Sequence, residues 1–450
     1  MLKKNDVIEL EITAVTNEGN GVGRHDGAAV FVPLAAPGDR LRVLIVKVQA
    51  SYCYGKILEV LEPGDCRVDP ECPVFGRCGG CTLRHISYEE ELAQKQEWVR
   101  QNLLRIGGLD LPMPDIIASP RTGRYRNKVQ LPLGMEGGRV VSGFYSLRSH
   151  RLAVCGDCLI QPAVFSEIAA AVKDYAQQYN VAIYDEASHK GLLRNLFMRI
   201  AEDTGEVMVC PVVTSPALPA PEALIEKIRA ACPQTASIVL NINPEKTNVL
   251  LGRRCKTLWG KGHITDRLCG LEVDISPLAF YQVNREAAQL LYGKAAEFAA
   301  LTGSELLIDL YCGTGTIGLS MARQARELIG VEVVPQAVEN ARINAQRNGI
   351  GNARFICADA GQAANQLAGE GLRPHVVLLD PPRKGCDLPT IEAVCAMQPQ
   401  RVVMVSCNSA TAARDIKLFA QRGYEATAVQ AVDLFPRTAH VETVCLMSRK

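Results

Sequence analysis

The sequence predicts a multidomain protein: a small β-barrel at the N-terminus, a central α+β region and a C-terminal α/β domain with a doubly wound parallel sheet. Three observations support this prediction. The chain has 450 residues, 48% of them apolar. Residues 5–62 read as short strands between glycine turns, and from about residue 270 a mixed β/α pattern gives way to regular strand–helix alternation. That length suggests roughly two to four domains, and the composition is ordinary for a globular protein.

The first predicted domain covers residues 1–63 and contains only β-structure. Its apolar or alternating segments are short and are separated by turn sequences rich in glycine. Strands of this length and spacing predict a small five-stranded, OB-like barrel. Barrels of this kind often bind oligonucleotides, so the pattern is compatible with a nucleic-acid partner.

The central region, residues 64–267, begins with a cysteine-rich segment and continues as a mixed α+β domain. After the cysteines, residues 88–108 have apolar positions at helical spacing and end at a glycine pair. We expect this helix to pack on the C-terminal domain. Residues 121–255 contain longer strand patterns mixed with helical ones.

The C-terminal domain, residues 268–450, alternates strands with helices, which predicts a parallel sheet with helices on both faces. A turn of the form Asp-x-x-Cys-Gly-x-Gly begins at Asp309, and Glu332 ends the second strand. A carboxylate at that strand end can accept both ribose hydroxyls of a nucleoside. This form of turn is the one used for S-adenosylmethionine, which has no phosphate to cradle. Asp359, after the third strand, suits the adenine amino group.

Two residues near the ends of strands suggest covalent chemistry on a pyrimidine. Cys407 ends the fifth strand, and the helix that follows is expected to favour its thiolate form. Carbon 5 of a pyrimidine is too weak a nucleophile to take a methyl group from a sulfonium, whereas thiolate addition at carbon 6 produces an enolate that can. A base must then remove the carbon-5 proton, and Glu442, close to His440 in sequence, is the candidate. Arg383 stands where motifs that stack exocyclic amines carry an aromatic residue, which argues against an amine substrate.

Together these motifs resemble the RNA uracil-5-methyltransferases. The segments that carry the resemblance are FYQVN (280–284), DLYCGTG (309–315), LLDPPRKG (378–385), VSCNSATAARD (405–415) and DLFPRTAHVE (433–442). The N-terminal barrel resembles a TRAM domain, and the cysteine segment resembles the iron–sulfur segment of the ribosomal RNA branch. The resemblance covers nearly the whole chain and implies a Rossmann-like, S-adenosylmethionine-dependent methyltransferase domain at the C-terminus.

The resemblance also implies roles for individual residues. Cys407 corresponds to the nucleophile and Glu442 to the proton acceptor. Six residues correspond to the surroundings of S-adenosylmethionine: Gln282, Tyr311, Thr316, Glu332, Asp359 and Asp380. Asp380 is expected to hydrogen-bond either the target uracil or the methionine end of the cofactor, and both possibilities stay open.

The chain has 17 cysteines, which in a reducing compartment indicate metal ligands and nucleophiles rather than disulfides. On spacing alone, the pairs Cys78/Cys81 and Cys155/Cys158 suggest a four-thiolate zinc site. The family resemblance implies a [4Fe–4S] cluster of structural rather than catalytic role instead, with Cys66 and Cys155 as spare thiols. Its ligands are then Cys72, Cys78, Cys81 and Cys158.

A basic segment in the central region predicts an RNA-binding groove. Residues 121–151 hold seven basic residues and one acid, Glu136, although the whole chain has a formal net charge of only +1. Tyr125 lies in the densest part, and basic residues interleaved with an aromatic ring suit phosphate contact and base stacking. The basic residues are Arg121, Arg124, Arg126, Lys128, Arg139, Arg148 and Arg151.

The predicted reaction is methyl transfer to carbon 5 of a uridine in 23S ribosomal RNA, with no DNA partner. One alternative is a transfer-RNA uracil-5-methyltransferase, although relatives with that role generally lack the TRAM domain and the cysteine cluster. Another is a non-catalytic iron–sulfur RNA-binding ribosome-assembly factor. The first residues include acids where a signal peptide is apolar, and no apolar run of about 18 residues occurs. We therefore expect a cytoplasmic monomer without a membrane partner.

Overall fold

The computed structural model describes residues 2–147, 149, 151–247 and 249–450. Its N-terminal strands are β1 (Val7–Glu11), β2 (Ala14–Val15), β3 (Asn20–His25), β4 (Ala28–Pro33), β5 (Arg40–Val48) and β6 (Tyr52–Glu62). They form one sheet in the order β1-β5-β6-β4-β3-β2, in which alternate residues such as Ile8 and Leu10 are buried. The structure has one strand more than the predicted five, because the two-residue β2 pairs with β3.

An irregular cysteine segment leads from the sheet to a long helix, α1 (Tyr88–Asn102), which continues as one π-helical turn, Leu103–Gly107. The helix begins at Ser87, whose side chain accepts a hydrogen bond from the backbone N–H of Glu90 and so caps the N-terminus. At the other end, Asn102 Nδ2 donates to Ser409 Oγ at 2.8 Å. The helix therefore contacts the C-terminal domain.

The central region is a seven-stranded mixed sheet with two helices on one side. Its strands are β7 (Lys128–Glu136), β8 (Arg139–Tyr145), β9 (Leu152–Val154), β10 (Leu193–Ile200), β11 (Val207–Val213), β12 (Thr235–Ile242) and β13 (Arg254–Gly260), in the order β13-β12-β11-β10-β7-β8-β9. The helices are α2 (Val164–Gln178) and α3 (Pro221–Ala231), and their apolar faces share one core with the sheet. A hairpin, β14 (Ile264–Leu268) and β15 (Leu271–Ile275), leads into the last domain.

The C-terminal sheet confirms the five predicted parallel strands and adds a hairpin that the sequence did not predict. The parallel strands are β16 (Leu306–Leu310), β17 (Glu327–Glu332), β18 (Ala353–Cys357), β19 (Val376–Leu379) and β20 (Arg401–Ser406). The hairpin consists of β21 (Tyr424–Val432) and β22 (Glu442–Arg449), and β22 pairs antiparallel with β20. The strand order is β18-β17-β16-β19-β20-β22-β21.

Helices cover both faces of this sheet. They are α4 (Arg285–Ala299), α5 (Thr316–Met321), α6 (Pro335–Arg347), α7 (Ala360–Gly369), α8 (Leu388–Met397) and α9 (Ser409–Ala420), with a 3₁₀ turn at Ala322–Gln324. Leu307 and Leu378 belong to one core, and Ile308 and Leu379 belong to the core on the other face. The strand order reverses between β16 and β19, so a crevice opens there at the carboxyl ends of the strands.

Within the described residues, no helix is both long enough and apolar enough to cross a membrane.

Candidate active site

The glycine turn after β16 is held by two carboxylates. Asp309, 1% exposed, accepts the Gly318 N–H at 3.0 Å through Oδ2. Glu332 accepts the Gly313 N–H at 3.1 Å and the Val334 N–H at 2.9 Å. Gly313 and Gly315 have φ values of 56° and 79°, which glycine adopts without steric cost. The predicted turn therefore has a fixed backbone at the crevice.

Tyr292 of α4 joins two of the predicted cofactor residues. Its hydroxyl lies 3.4 Å from Thr316 Oγ1 and hydrogen-bonds the side chain of Gln282. Burial raises the pKa of Tyr292, so the hydroxyl stays protonated. Asn127 of the central region fixes Gln282 in turn, because its Nδ2 donates to the Gln282 carbonyl at 2.9 Å. The sequence analysis missed Tyr292, which in sequence is only one more residue on the apolar face of a helix.

Two other predicted cofactor residues lie at strand ends around the turn. Tyr311, directly after β16, has a φ of 65° and donates to Thr390 Oγ1 at 3.5 Å. Asp359 is exposed and caps α7, since its Oδ1 accepts the N–H groups of Gly361 and Gln362 at 3.0 and 3.2 Å. Helix capping by itself accounts for an acid at position 359.

Cys407 directly follows β20 and lies beside Glu442, the first residue of β22. In the antiparallel pairing of β20 with β22, Ser406 stands opposite Thr443. Continuing this register by one residue brings Cys407 next to Glu442. Glu442 is 5% exposed, and Cys407 is half-buried. The unpredicted hairpin is therefore what brings the predicted nucleophile to the predicted base.

Burial dominates the electrostatics of the carboxyl groups here. Burial raises the pKa of Glu442 to about 8, helped by the charge of Asp380 and opposed by that of Arg383. Burial likewise raises the pKa of Asp380 to about 7. At neutral pH both carboxyl groups therefore carry a proton for a substantial part of the time.

The pKa of the Cys407 thiol is raised, first by burial and then by the charge of Glu442. The net shift therefore disfavours the thiolate, and the favourable effect of the following helix stays a prediction. The N-terminus of α9 already has a partner, because Asn408 Oδ1 accepts the N–H groups of Ala410 and Thr411 at 3.1 and 3.4 Å. Loss of solvation and the charges of Glu442 and Asp380 outweigh the lowering effect of Arg383.

Arg383 opposes this rise, because its charge and a side-chain hydrogen bond both lower the pKa of Cys407. The position of Arg383 is set by Asn408 Nδ2 and Thr411 Oγ1, which donate to its carbonyl oxygen at 3.2 and 3.3 Å. Its Nη2 lies 3.3 Å from His440 Nε2, and burial followed by the Arg383 charge lowers the pKa of His440. From the sequence, Arg383 served only to argue against an amine substrate, and its effect on the pKa of Cys407 was not predicted.

The predicted basic segment is only in part an available cationic surface. Arg121 is paired with Glu202 at 2.5 Å and Glu286 at 2.7 Å, and Arg124 with Asp157 at 2.6 Å. These acids lie far away in sequence, so the count of seven basic residues to one acid overstated the local charge.

Tyr125 is fully buried, and its hydroxyl donates to the Pro436 carbonyl at 2.9 Å. The predicted stacking of a base on Tyr125 is therefore wrong. Arg126 and Lys128 form no ion pair within the described part of the chain, and Arg126 lowers the pKa of His440, which places its charge near the crevice. Arg148 lies outside the described residues.

Comparisons with known proteins match both ends of the chain to protein families and the whole chain to RNA methyltransferases. A family model described as tRNA (Uracil-5-)-methyltransferase matches residues 274–450, and a TRAM domain model matches residues 2–58. An uncharacterized RNA methyltransferase of Halalkalibacterium halodurans is 43% identical over 450 residues, covering 100% of this chain and 98% of the relative. Another from Clostridium tetani is 41% identical over 447 residues, covering 99% and 97%.

The chain belongs to the RNA uracil-5-methyltransferase family. A solved structure, the tRNA (uracil-54, C5)-methyltransferase of Pyrococcus abyssi in complex with S-adenosyl-L-homocysteine, matches with a TM-score of 0.79 at 26% identity, covering 98% of this chain and 100% of that one. The N-terminal sheet of this uracil-5-methyltransferase is a TRAM domain, and the C-terminal domain has the S-adenosylmethionine-dependent methyltransferase fold. The sequence predictions of both domains are confirmed.

The cysteines of the predicted cluster lie close together in this methyltransferase, although they come from two segments. Cys78 and Cys81 are near enough to Cys72 for its charge to raise their pKa values, which burial raises most. Cys158, whose pKa burial raises to about 12, is within the same reach of Cys78 and Cys81. Cys155 is also near enough to Cys72 and Cys78 for their charges to raise its pKa. It therefore belongs to the same group of thiols as the four predicted ligands.

Basic side chains accompany these thiols. The Arg84 side chain hydrogen-bonds Cys81, whereas the buried Arg84 Nε itself has no hydrogen-bond partner among the described residues. Arg124 Nη1 donates to the Cys158 carbonyl at 3.2 Å. Cys66 stands apart, with its Sγ donating to the Pro37 carbonyl at 3.3 Å. No three His, Cys, Asp or Glu side chains in the described ranges are arranged to hold a single metal ion.

Proposed function

We propose that this protein methylates carbon 5 of a uridine in 23S ribosomal RNA through a covalent adduct between Cys407 and carbon 6 of the uracil. The observation that carries the proposal is the juxtaposition of Cys407 and Glu442 at the ends of two paired strands, with Arg383 beside the thiol. S-adenosylmethionine supplies the methyl group, and the glycine turn and its neighbours bind it.

The residues then act in a fixed order. The Cys407 thiolate adds to carbon 6, which places the electron pair on carbon 5 and the carbonyl oxygen at carbon 4. Carbon 5 takes the methyl group, and S-adenosylhomocysteine leaves. Glu442 removes the carbon-5 proton, the double bond re-forms, and the thiolate is expelled. A carboxylate with a pKa of about 8 is well matched to proton removal near neutral pH.

Arg383 and Asp380 support the covalent step in different ways, one as a cation beside the thiolate and the other as a proton-bearing acid. Arg383 stabilises the thiolate before attack, because it lowers the pKa that burial raises. Asp380, with a pKa of about 7, can hold a proton and donate it in a hydrogen bond to a uracil carbonyl. Its alternative partner is the methionine end of the cofactor.

We assign the remaining cofactor contacts to five residues around the glycine turn. Glu332 ends β17, where a carboxylate accepts ribose hydroxyls in related folds. Gln282 and Thr316 are held by the shared hydroxyl of Tyr292, and Tyr311 and Asp359 flank the turn. The five residues are Gln282, Tyr311, Thr316, Glu332 and Asp359.

The adduct is tested with RNA that carries 5-fluorouridine, because fluorine cannot be removed as a proton and the complex is trapped. Wild-type protein with S-adenosylmethionine should form a denaturation-resistant protein–RNA band. Cys407→Ala should form neither this band nor 5-methyluridine, whereas Cys357→Ala, an exposed cysteine of the same sheet, should behave as wild type. Glu442→Gln should accumulate a methylated adduct on ordinary RNA. Formation of 5-methyluridine by Cys407→Ala would refute the mechanism.

The competing substrate is transfer RNA, and one finding favours it. The Pyrococcus abyssi enzyme is named for uracil 54 of tRNA and matches 98% of this chain, so chain length and domain number do not distinguish the two substrates. Unmodified 23S ribosomal RNA and tRNA transcripts, each incubated with radiolabelled S-adenosylmethionine, separate them. Our proposal expects label in the ribosomal transcript, and label in tRNA alone would assign the other substrate.

We further propose that Cys72, Cys78, Cys81 and Cys158 hold a [4Fe–4S] cluster with a structural role. The chemistry of the donor set supports this proposal, because cysteine thiolates are the ligands of such clusters and the four thiols are near enough to influence one another's pKa values. The described side chains are not arranged around a single metal ion, so the proposal rests on this chemistry and proximity. Directly after Cys81, the N–H groups of residues 82 and 83 donate to the Arg437 carbonyl at 3.0 and 3.1 Å. When bound, the cluster would fix this contact between the cysteine segment and the loop before Glu442.

Paired variants distinguish the cluster from zinc. The iron–sulfur assignment requires Cys72 and not Cys155, whereas the four-thiolate zinc alternative requires Cys155 and not Cys72. Iron, sulfide and zinc contents of protein purified without oxygen should show iron and sulfide in wild type and in Cys155→Ser, and neither in Cys72→Ser. Zinc that survives in Cys72→Ser and is lost in Cys155→Ser would support the alternative.

A further inference from the structure

A cavity of about 360 Å³ lies in the central region, at the end of its sheet that faces away from the catalytic domain. At the near end of the sheet, Asn127, just before β7, donates its backbone N–H to the Val283 carbonyl at 2.8 Å. β7 and β10 are antiparallel, with Arg199 opposite Lys128. The start of β10, where Arg194 lines the cavity, is therefore several residues away from that contact.

The inner wall of the cavity is rigid and cationic. The Arg194 guanidinium lies 4.4 Å from the centre of the Tyr184 ring. Arg194 is 5% exposed and Tyr184 is 8% exposed. Its Nη atoms donate to the carbonyls of residues 243, 245 and 247 at 2.9, 2.8 and 3.2 Å. Its buried Nε has no hydrogen-bond partner among the described residues.

The rim supplies groups of complementary chemistry. The Tyr184 hydroxyl is 2.9 Å from His189 Nδ1, which fixes a second ring at the opening. Lys246 and Thr247 also line the cavity and are exposed. The Glu186 carboxylate, which accepts the Tyr145 hydroxyl at 3.0 Å, adds an acceptor. Two aromatic rings, two cations, a hydroxyl and a carboxylate thus converge on one space.

We propose that this cavity binds one unpaired nucleotide of the substrate RNA, with the base beside Tyr184 and His189 and a phosphate on Lys246. This inference rests on the proposed function only in that the substrate is RNA. Single-stranded RNA is held by base contact with aromatic rings together with backbone contact to cations. The volume is at the small end of ligand pockets and suits one nucleotide rather than a duplex.

RNA is favoured over a free nucleotide because the cation on the rim is a single exposed lysine. A free nucleotide carries its charge on one phosphate group and is usually held by several backbone N–H groups. Here the open rim leaves room for the RNA strand to continue on both sides of the bound nucleotide. Arg139, exposed at the β7–β8 turn, lies at the same end of the sheet and extends the cationic surface.

The test uses the full-length protein with His189→Ala and Lys246→Ala combined, and Lys190→Ala as the control. All three residues are exposed, and Lys190 does not line the cavity. The probe is a fluorescein-labelled single-stranded RNA of mixed sequence. The double variant should bind it about 10-fold more weakly, since one base contact and one phosphate contact are lost. Its slope of log Kd against log salt should be shallower by about 0.7, and Lys190→Ala should match wild type.

Two further measurements decide among the outcomes. A probe containing 4-thiouridine should crosslink to residues 184–194 or 246–247 of the wild-type protein. Equal affinities of the double variant and wild type, or no crosslink to these peptides, would overturn the proposal. Binding of adenosine 5′-monophosphate that the double variant loses, with unchanged RNA affinity, would also overturn it and assign a small-nucleotide site. Cys407→Ala tests the proposed function separately, because it should lose methylation and keep wild-type RNA affinity.

Discussion

Lys95 and Asp433 form a fully buried ion pair, with 2.7 Å between Nζ and Oδ1. The same ammonium group also contacts Glu91 Oε1 at 2.8 Å and the Phe435 carbonyl at 3.1 Å. Lys95 belongs to α1, and Asp433 begins the loop that ends at Glu442. A helix from the N-terminal half of the chain therefore fixes the loop that leads to the proposed base.

Replacement of Lys95 by Ala should destabilise the protein strongly. The change leaves the Asp433 carboxylate buried without its cation and leaves Glu91 with only the Arg437 guanidinium as a cation among the described residues, at 3.6 Å. Loss of one partner of a buried ion pair typically costs about 3–5 kcal/mol. Urea denaturation followed by circular dichroism measures the free energy of unfolding. Arg100→Ala is the matched control on the same helix, because its pair with Glu97 is exposed and should contribute less than about 1 kcal/mol. Similar losses in the two variants would contradict the assigned role of the buried pair.

Glu442→Gln should abolish turnover and stabilise the protein at high pH. The pKa of Glu442 is raised by burial from 4.5 in the unfolded chain to about 8 in the folded one, so the folded state binds a proton more tightly. Wild-type stability therefore falls as pH rises between those two values. The glutamine variant lacks this loss and should gain up to about 4 kcal/mol over wild type between pH 5 and pH 9.

The measurement is urea denaturation at both pH values. Glu425→Gln, an exposed glutamate on β21, serves as the control and should show the same pH dependence as wild type. A difference between Glu442→Gln and wild type that does not change with pH would mean that Glu442 is already ionised in the folded protein.

Arg383→Ala should make the Cys407 thiol harder to ionise. Arg383 lowers the pKa of that thiol by its charge and a hydrogen bond, and loss of a neighbouring opposite charge typically raises a thiol pKa by about one unit or more. The rate of Cys407 alkylation by iodoacetamide, followed across pH by mass spectrometry of its peptide, reports this pKa. Lys384→Ala removes a neighbouring exposed cation and should leave the pH profile unchanged. Superimposable profiles for Arg383→Ala and wild type would rule out this role.

The sequence predicted best the features that depend on short segments. The strands β16–β20 and the turn from Asp309 to Gly315 are encoded within a few residues each, by apolar runs and by glycines at positions of positive φ. Contacts between distant segments could not be predicted in this way. Arg121 and Glu202 are paired across 81 residues, and Tyr292 reaches Thr316 across 24. The net direction of the Cys407 pKa shift also depends on burial, which only the packed structure defines.

Tyr125→Phe provides the clearest contrast between the sequence pattern and the structure. The pattern placed Tyr125 in an RNA groove, whereas its ring is fully buried and its hydroxyl donates to the Pro436 carbonyl at 2.9 Å. Phenylalanine keeps the ring and leaves that carbonyl unpaired, so the free energy of unfolding should fall by about 1–2 kcal/mol and the RNA affinity should not change. Arg126→Ala removes a cation near the crevice that forms no ion pair among the described residues. This change should instead weaken RNA binding and make its salt dependence shallower. The two residues are adjacent in the chain, so the two variants form a matched pair. Urea denaturation measures their stability, and fluorescence anisotropy measures their RNA affinity. A loss of RNA affinity in Tyr125→Phe at unchanged stability would restore the role that the sequence pattern suggested.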